Sequence, residues 1–106
     1  MEVADERQIR ASRGLDVVVS HLDLASSIAR PSTYETEPQG ELGLVADRRG
    51  EVLVGAWAVA PLAGEWIHQA MLAIKAEIPL GVLRDTAAQF PTFSEAYREG
   101  VEKLGL

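Results

Sequence analysis

The pattern of apolar and polar positions divides the chain into short strands near its middle and helices towards its end. "ADERQIRASRGL" (4–15) has the spacing of a short helix, with Asp5 suited to cap it and Gly14 where helices commonly stop. "DVVVSHLDL" comes next, and its three β-branched valines predict a strand from Asp16 to about Leu22. "ASSIARP" predicts a second, weaker strand stopped by Pro31, and the polar "STYETEPQG" a connecting loop. "GELGLVAD" and "GEVLVGAWAVA" are two apolar runs separated by "DRRG", the pattern of a β-hairpin. Asp47 is placed to open its turn and Gly50 to take a left-handed conformation that closes it.

The second hairpin strand is apolar on both faces. Strict alternation sends Val52, Val54, Ala56 and Ala58 one way and Leu53, Trp57 and Val59 the other. A strand of this kind needs cover on both sides, which a small domain struggles to supply by itself. The pattern therefore points to a partner surface. After Pro61, "LAGEWIHQAMLAIKAEI" carries Leu62, Trp66, Ile67, Ala70, Met71, Ile74 and Ile78 at helical spacing, with Pro79 as its stop. "LGVLRDTA" predicts a short helical turn. Thr92 and Glu95 have the spacing of a capping box, and Phe93, Ala96, Tyr97, Val101 and Leu104 line one face of the helix they start. The expected class is α+β: an antiparallel sheet with helices packed mainly on one face.

Composition narrows the function classes. The 106 residues suit one domain, with 47% hydrophobic and 25% charged residues as in ordinary folded chains. No cysteine is present, which excludes disulfides, thiolate metal sites and thiol nucleophiles. A net charge of −6 with scattered Lys and Arg argues against nucleic acid and anionic membranes as partners. No apolar run approaches the roughly 20 residues of a membrane span, and "MEVADERQIR" lacks the apolar core of a signal peptide. The expected location is the cytoplasm.

Candidate chemistry is sparse. His21 and His68 are the only histidines, one in a predicted strand and one in a helix, and make a poor metal set. The glycines form no phosphate-binding fingerprint. Ser94 has no histidine near it in sequence to activate it. Glu65 and Glu77 read as solvated helix positions. Trp57 and Trp66 are of the type enriched at interface cores, though such residues also serve ordinary cores. Glu95 reads as a cap.

Three stretches together resemble one known module. "DERQIRASRGLDVVV", the long run "GELGLVADRRGEVLVGAWAVAPLAGEWIHQAMLAIKAEI" and "FPTFSEAY" are similar to the helix–strand start, hairpin–helix middle and His-Pro-Thr-x-x-Glu signature of the carboxy-terminal dimerisation (interface) domain of the pyridine nucleotide–disulfide oxidoreductases. That family includes dihydrolipoamide dehydrogenase, glutathione reductase and mercuric reductase. The resemblance implies that residues 1–106 are a single interface domain, a fragment of a longer flavoenzyme that binds FAD and NAD(P) in other domains. It implies a homodimer that edges the partner's flavin site with Phe90, Pro91 and Thr92. It also implies interface positions at Trp57, Trp66, Phe90, Phe93 and Tyr97, no cofactor held by this chain, and no activity in isolation. The family's acid–base histidine falls on Phe90, and its orienting glutamate on Glu95. A second histidine two positions earlier falls on Ala88, with Gln89 between. Phenylalanine cannot transfer a proton, so the parent is expected to dispense with the usual dithiol base. The competing expectation is a free-standing small binding or regulatory protein that keeps this fold. A small enzyme in its own right, with Glu95, Tyr97 and His68 meeting at a cleft, has less to support it.

Overall fold

The computed structural model describes residues 16–28, 30, 40–60, 62–86 and 92–106. The predicted amino-terminal helix, most of the 32–40 loop and the segment 87–91, with Phe90 and Pro91, lie outside the described residues. Three strands form one antiparallel sheet in the order β1 (Val17–Asp23), β2 (Glu41–Asp47) and β3 (Val52–Val59). The described helices that meet the sheet pack on one face of it. They are α3 (His68–Lys75), which continues α2 (Ala63–Trp66) almost without a break, and α5 (Ala96–Leu104); α4 (Leu80–Asp85) packs on α5. This is the α+β arrangement expected.

The main core lies between sheet and helices. Leu22, Leu42, Leu44, Ala46, Leu53, Ala56 and Ala58 supply its sheet side, and Ile67, Ala70, Ala73, Leu80, Val101 and Leu104 are among its helical residues. Ser20 is the one buried polar residue among those described, and its hydroxyl donates to the Gly100 carbonyl of α5 at 2.9 Å. That bond ties β1 to the helix at no desolvation loss. A second, smaller cluster occupies the opposite face of the sheet, where Val17 and Val45 are buried and Val19, Val54 and Trp57 pack on them.

Strict alternation along β3 fails at one place. Val45 pairs with Gly55 but the next residue, Ala46, pairs with Leu53, so Val54 is an extra residue and the strand bulges. A bulge resets the phase of the side chains. Leu53 therefore joins Ala56 and Ala58 on the helix side, while Val54 lies with Trp57 on the other. The sequence pattern had these two exchanged, because a strand apolar on both faces carries no phase signal.

The hairpin turn also differs in detail. Asp47 accepts from the backbone N–H groups of Arg49 and Gly50, both at 3.2 Å, as expected of a turn opener. The left-handed residue is Glu51 (φ 53°), not Gly50. Glycine at 50 serves another end: a Cβ there would lie 2.9 Å from the Asp47 carboxylate that caps the turn.

Three helical expectations are corrected. The predicted weak second strand begins at Ala25, but Leu24–Ser27 form α1, with Asp23 at its N-cap position, where the Asp23 carboxylate takes a 2.7 Å bond from the Ser26 hydroxyl. A local side-chain bond of this type stabilises a turn over a strand. Ile28, just after it, is extended. The helix expected to run to Pro79 ends at Lys75, because Glu77 turns left-handed (φ 51°) and the Ile78 N–H reaches back to the Ala73 carbonyl at 3.0 Å. This is a Schellman ending with glutamate where glycine is usual. Finally, Leu62 and Met71 are exposed, and Ala63 and Ala73 take their places in the buried arc.

Candidate functional site

The carboxy-terminal signature is built as the spacing predicts. Thr92 is extended (φ −140°, ψ 160°) and caps the 3-10 turn Phe93–Glu95, which runs directly into α5. Its N–H donates to Glu95 Oε2 at 3.1 Å, and its side chain receives the Glu95 backbone N–H in return. The Glu95 carboxylate is thus engaged in holding the chain direction at Thr92, the residue directly after Phe90–Pro91.

Three aromatic side chains fasten this turn to α2. Phe93 stacks on Trp66 with ring centroids 5.5 Å apart and planes 7° from parallel. Tyr97 meets the same indole edge-on, at 6.0 Å and 69°. The Tyr97 hydroxyl donates to the Trp66 carbonyl at 2.5 Å. Burial pushes its pKa well above the ordinary value of 10.0, with a backbone N–H of Ala70 opposing that shift to a lesser degree. The Arg30 guanidinium lies 5.8 Å from the Phe93 ring centroid. Trp66, Phe93 and Tyr97 are all buried in the chain's own core. Their role within the chain is to position the signature turn.

Trp57 stands elsewhere, half-buried on the sheet face away from the helices. Its ring lies across Gly43, the residue paired with it on β2, so closely that a Cβ on Gly43 would sit 2.1 Å from a ring carbon. The glycine leaves the indole free to reach His21 on β1, edge-on at 5.0 Å. His21 Nδ1 is 3.0 Å from Glu41 Oε1, and both side chains are largely exposed. His68 is exposed on α3, apart from His21, and among the described residues no three acidic or histidine side chains come together as a metal set. Tyr97 spends its hydroxyl on a backbone carbonyl and Glu95 its carboxylate on a helix cap, so the cleft of Glu95, Tyr97 and His68 does not assemble among the described contacts.

Three glycines serve packing: Gly43 lies under Trp57, Gly50 against the Asp47 carboxylate and Gly100 against Leu44. What sequence reasoning missed is of two kinds. The Ser20–Gly100 tie joins residues 80 positions apart and leaves no local signal. The Gly43–Trp57 fit had a signal, a glycine and an indole on neighbouring strands, but required the register to be known.

The chain belongs to the family described as the pyridine nucleotide-disulphide oxidoreductase dimerisation domain, whose sequence profile matches residues 4–101. Members of that family are parts of FAD- and NAD(P)-dependent flavoproteins. The chain is 35% identical over 89 residues to the mercuric reductase of Bacillus cereus, a match covering 84% of this chain and 14% of that protein. Among solved structures it is similar to the HOCl-induced flavoprotein disulfide reductase RclA from Escherichia coli, with a TM-score of 0.84, 26% identity, and 94% of this chain matched to 22% of that one. LpdA from Mycobacterium tuberculosis shares the fold, with a TM-score of 0.83 at 24% identity, covering 97% of this chain and 22% of its own. The chain therefore spans about a seventh to a fifth of the length of these relatives.

Proposed function

We propose that this domain forms the two-fold interface of an FAD-dependent pyridine nucleotide oxidoreductase and has no turnover by itself. It works as one domain of a longer cytoplasmic chain whose other domains hold FAD and NAD(P). The observation that carries this reading is the surface. Trp66, Phe93 and Tyr97 are consumed by the core, yet Val59, Leu62, Met71, Leu72 and Val82 all stand exposed. On a domain of a family described as a dimerisation domain, exposed large apolar side chains fit an association surface. Symmetric dimers are the commonest way to cover one.

In this reading Phe90, Pro91 and Thr92 edge the flavin site of the partner subunit. The capping box and the Trp66–Phe93–Tyr97 cluster hold Thr92 in place for that purpose. With Phe90 at the family's acid–base position, the parent reaction proceeds without a protonatable group there, and Glu95 acts as a cap alone. Two measurements test the reading. Immunodetection of the natural gene product is expected to reveal a protein several times the 11.5 kDa of this chain. A product of the chain's own size would favour a free-standing binding protein. Sedimentation equilibrium of the isolated chain at micromolar concentrations is expected to return a dimer, and a strict monomer would overturn the interface role.

A further inference from the structure

Among the described residues β1 is an edge of the sheet, with only β2 beside it. Two bonds fix which of its backbone groups face outward. The Arg48 N–H donates to the Asp16 carbonyl and the Leu24 N–H to the Gly40 carbonyl, both at 3.0 Å. Residues that bond the neighbouring strand alternate in an antiparallel ladder. Between these two bonds, Val18, Ser20 and Leu22 therefore face β2, and Val17, Val19, His21 and Asp23 turn their N–H and C=O groups to the open edge. Neither backbone group of Val19 has a described partner there, nor has the His21 N–H. The His21 carbonyl has one: it accepts a bond from the Lys103 ammonium at 2.6 Å.

Lys103 comes from the last turn of α5, 82 positions away in the chain. It is exposed, and none of the described ion pairs includes it. Its ammonium is spent on a strand carbonyl instead. An open edge is a template for a further strand, and a lysine on the edge is one way proteins close it. The need is plain in β1, where the run from Val17 to Leu22 is rich in β-branched residues and has neither proline nor glycine. It also suits its own reverse. Laid antiparallel on a second copy with the two-fold at Ser20, Val19 of each copy exchanges both backbone bonds with His21 of the other, and Asp16 and Asp23 do not oppose each other. Those bonds need the His21 carbonyl, which Lys103 holds. The β3 edge is blunted by other means: the Leu80 N–H takes the Glu51 carbonyl at 2.9 Å, Val52 bridges to Pro79, and the strand bulges at Val54.

We propose that Lys103 guards the open edge of β1, and that without its ammonium the edge pairs antiparallel with the β1 edge of a second copy through Val19 and His21. This role does not depend on the two-fold interface proposed above, since it concerns association beyond whatever the wild-type chain forms. A charge-assisted bond is stronger than the neutral strand bond that would replace it, so the guard holds while the lysine keeps its charge.

The test combines sedimentation velocity with residue-resolved amide hydrogen exchange on the wild-type chain, Lys103→Ala and Lys103→Arg. The side chain is exposed, and near-ultraviolet circular dichroism of the tryptophans checks that both variants are folded. Lys103→Ala frees the carbonyl of one charge-assisted bond, so species larger than those of the wild type are expected at concentrations about tenfold lower. Lys103→Arg keeps a charged donor and is expected to sediment as the wild type does. The Val19 amide is expected to exchange rapidly in the wild type, and in Lys103→Ala to slow as concentration rises. A Val19 amide as protected in the wild type as that of Val18 overturns the proposal, because the edge is then already covered. Lys103→Ala sedimenting like the wild type also overturns it and reduces the bond to a tie between α5 and β1. Larger species with Val19 exchange unchanged place the association on another surface and overturn it equally.

Discussion

At the scale of single residues, the informative side chains are those whose chemistry is already spent. Glu95 binds the Thr92 N–H, and a glutamine at the same place makes the same bond. Glu95→Gln is therefore expected to leave the unfolding free energy nearly unchanged, whereas Glu95→Ala loses about 1 kcal/mol, both read from chemical denaturation. If Glu95 acts as a cap alone, the glutamine variant of the parent enzyme also keeps its turnover and pH profile. Tyr97 gives a second expectation. Its pKa is raised by burial, so the folded state holds its proton at pH values where the unfolded chain, near 10, begins to release it. Stability attributable to Tyr97 is complete below that value and falls as pH rises above it. Melting temperature is expected to drop through this alkaline range, and to drop less steeply in Tyr97→Phe. The capping box was legible in the sequence because its two residues are local and of the right types. The left-handed Glu51 and Glu77 were not, since neither is glycine. At Glu51 the constraint is a long-range bond, in which its carbonyl takes the Leu80 N–H at 2.9 Å.

At the scale of elements, the hairpin and the order of strands and helices were legible from pattern, and the facing of two elements was not. Periodicity counts apolar positions without regard to size. It therefore placed Met71 inside α3 and overlooked Ala73, which is buried in the same core cluster as Ala56 and Ala58 while Met71 is exposed. On the far side of the sheet, β2 and β3 are fitted together by Gly43 and Trp57. Gly43→Ala is expected to displace the indole, cost about 1–3 kcal/mol and shift tryptophan emission to longer wavelength. In a Trp57→Ala background the same substitution is expected to be nearly silent. Equal costs in both backgrounds would mean that the indole is not what excludes a side chain from position 43. The candidate site divides in the same way. The turn from Thr92 to Glu95 was readable, but the burial of Trp66, Phe93 and Tyr97 in one cluster depends on α2 and α5 meeting, which no local pattern encodes.

For the whole molecule, membership of the dimerisation-domain family and the surplus of apolar surface bear on the same property. If two copies associate as proposed, part of the domain's stability is borrowed from its partner, and the melting temperature is expected to rise with protein concentration. A melting point independent of concentration over two decades would show a domain that stands by itself. Family membership was legible from the ordered run between Gly40 and Glu65, where hairpin, bulge and helix start succeed one another without interruption.

The bulge in β3 has an evolutionary side. A strand that carries one residue more than its neighbour can use has slack at that point. Removing Val54 leaves Leu53, Ala56 and Ala58 facing the helices and Trp57 facing away, since it restores plain alternation, at the loss of the contacts Val54 makes with Val17 and Val45. An added residue elsewhere in β3 has no such outlet and would turn one end of the strand inside out. Length changes of one residue are thus expected to be tolerated in this hairpin as losses at the bulge and rejected as gains beyond it, which makes Val54 the place where the lineage can shorten the strand without redesigning either face.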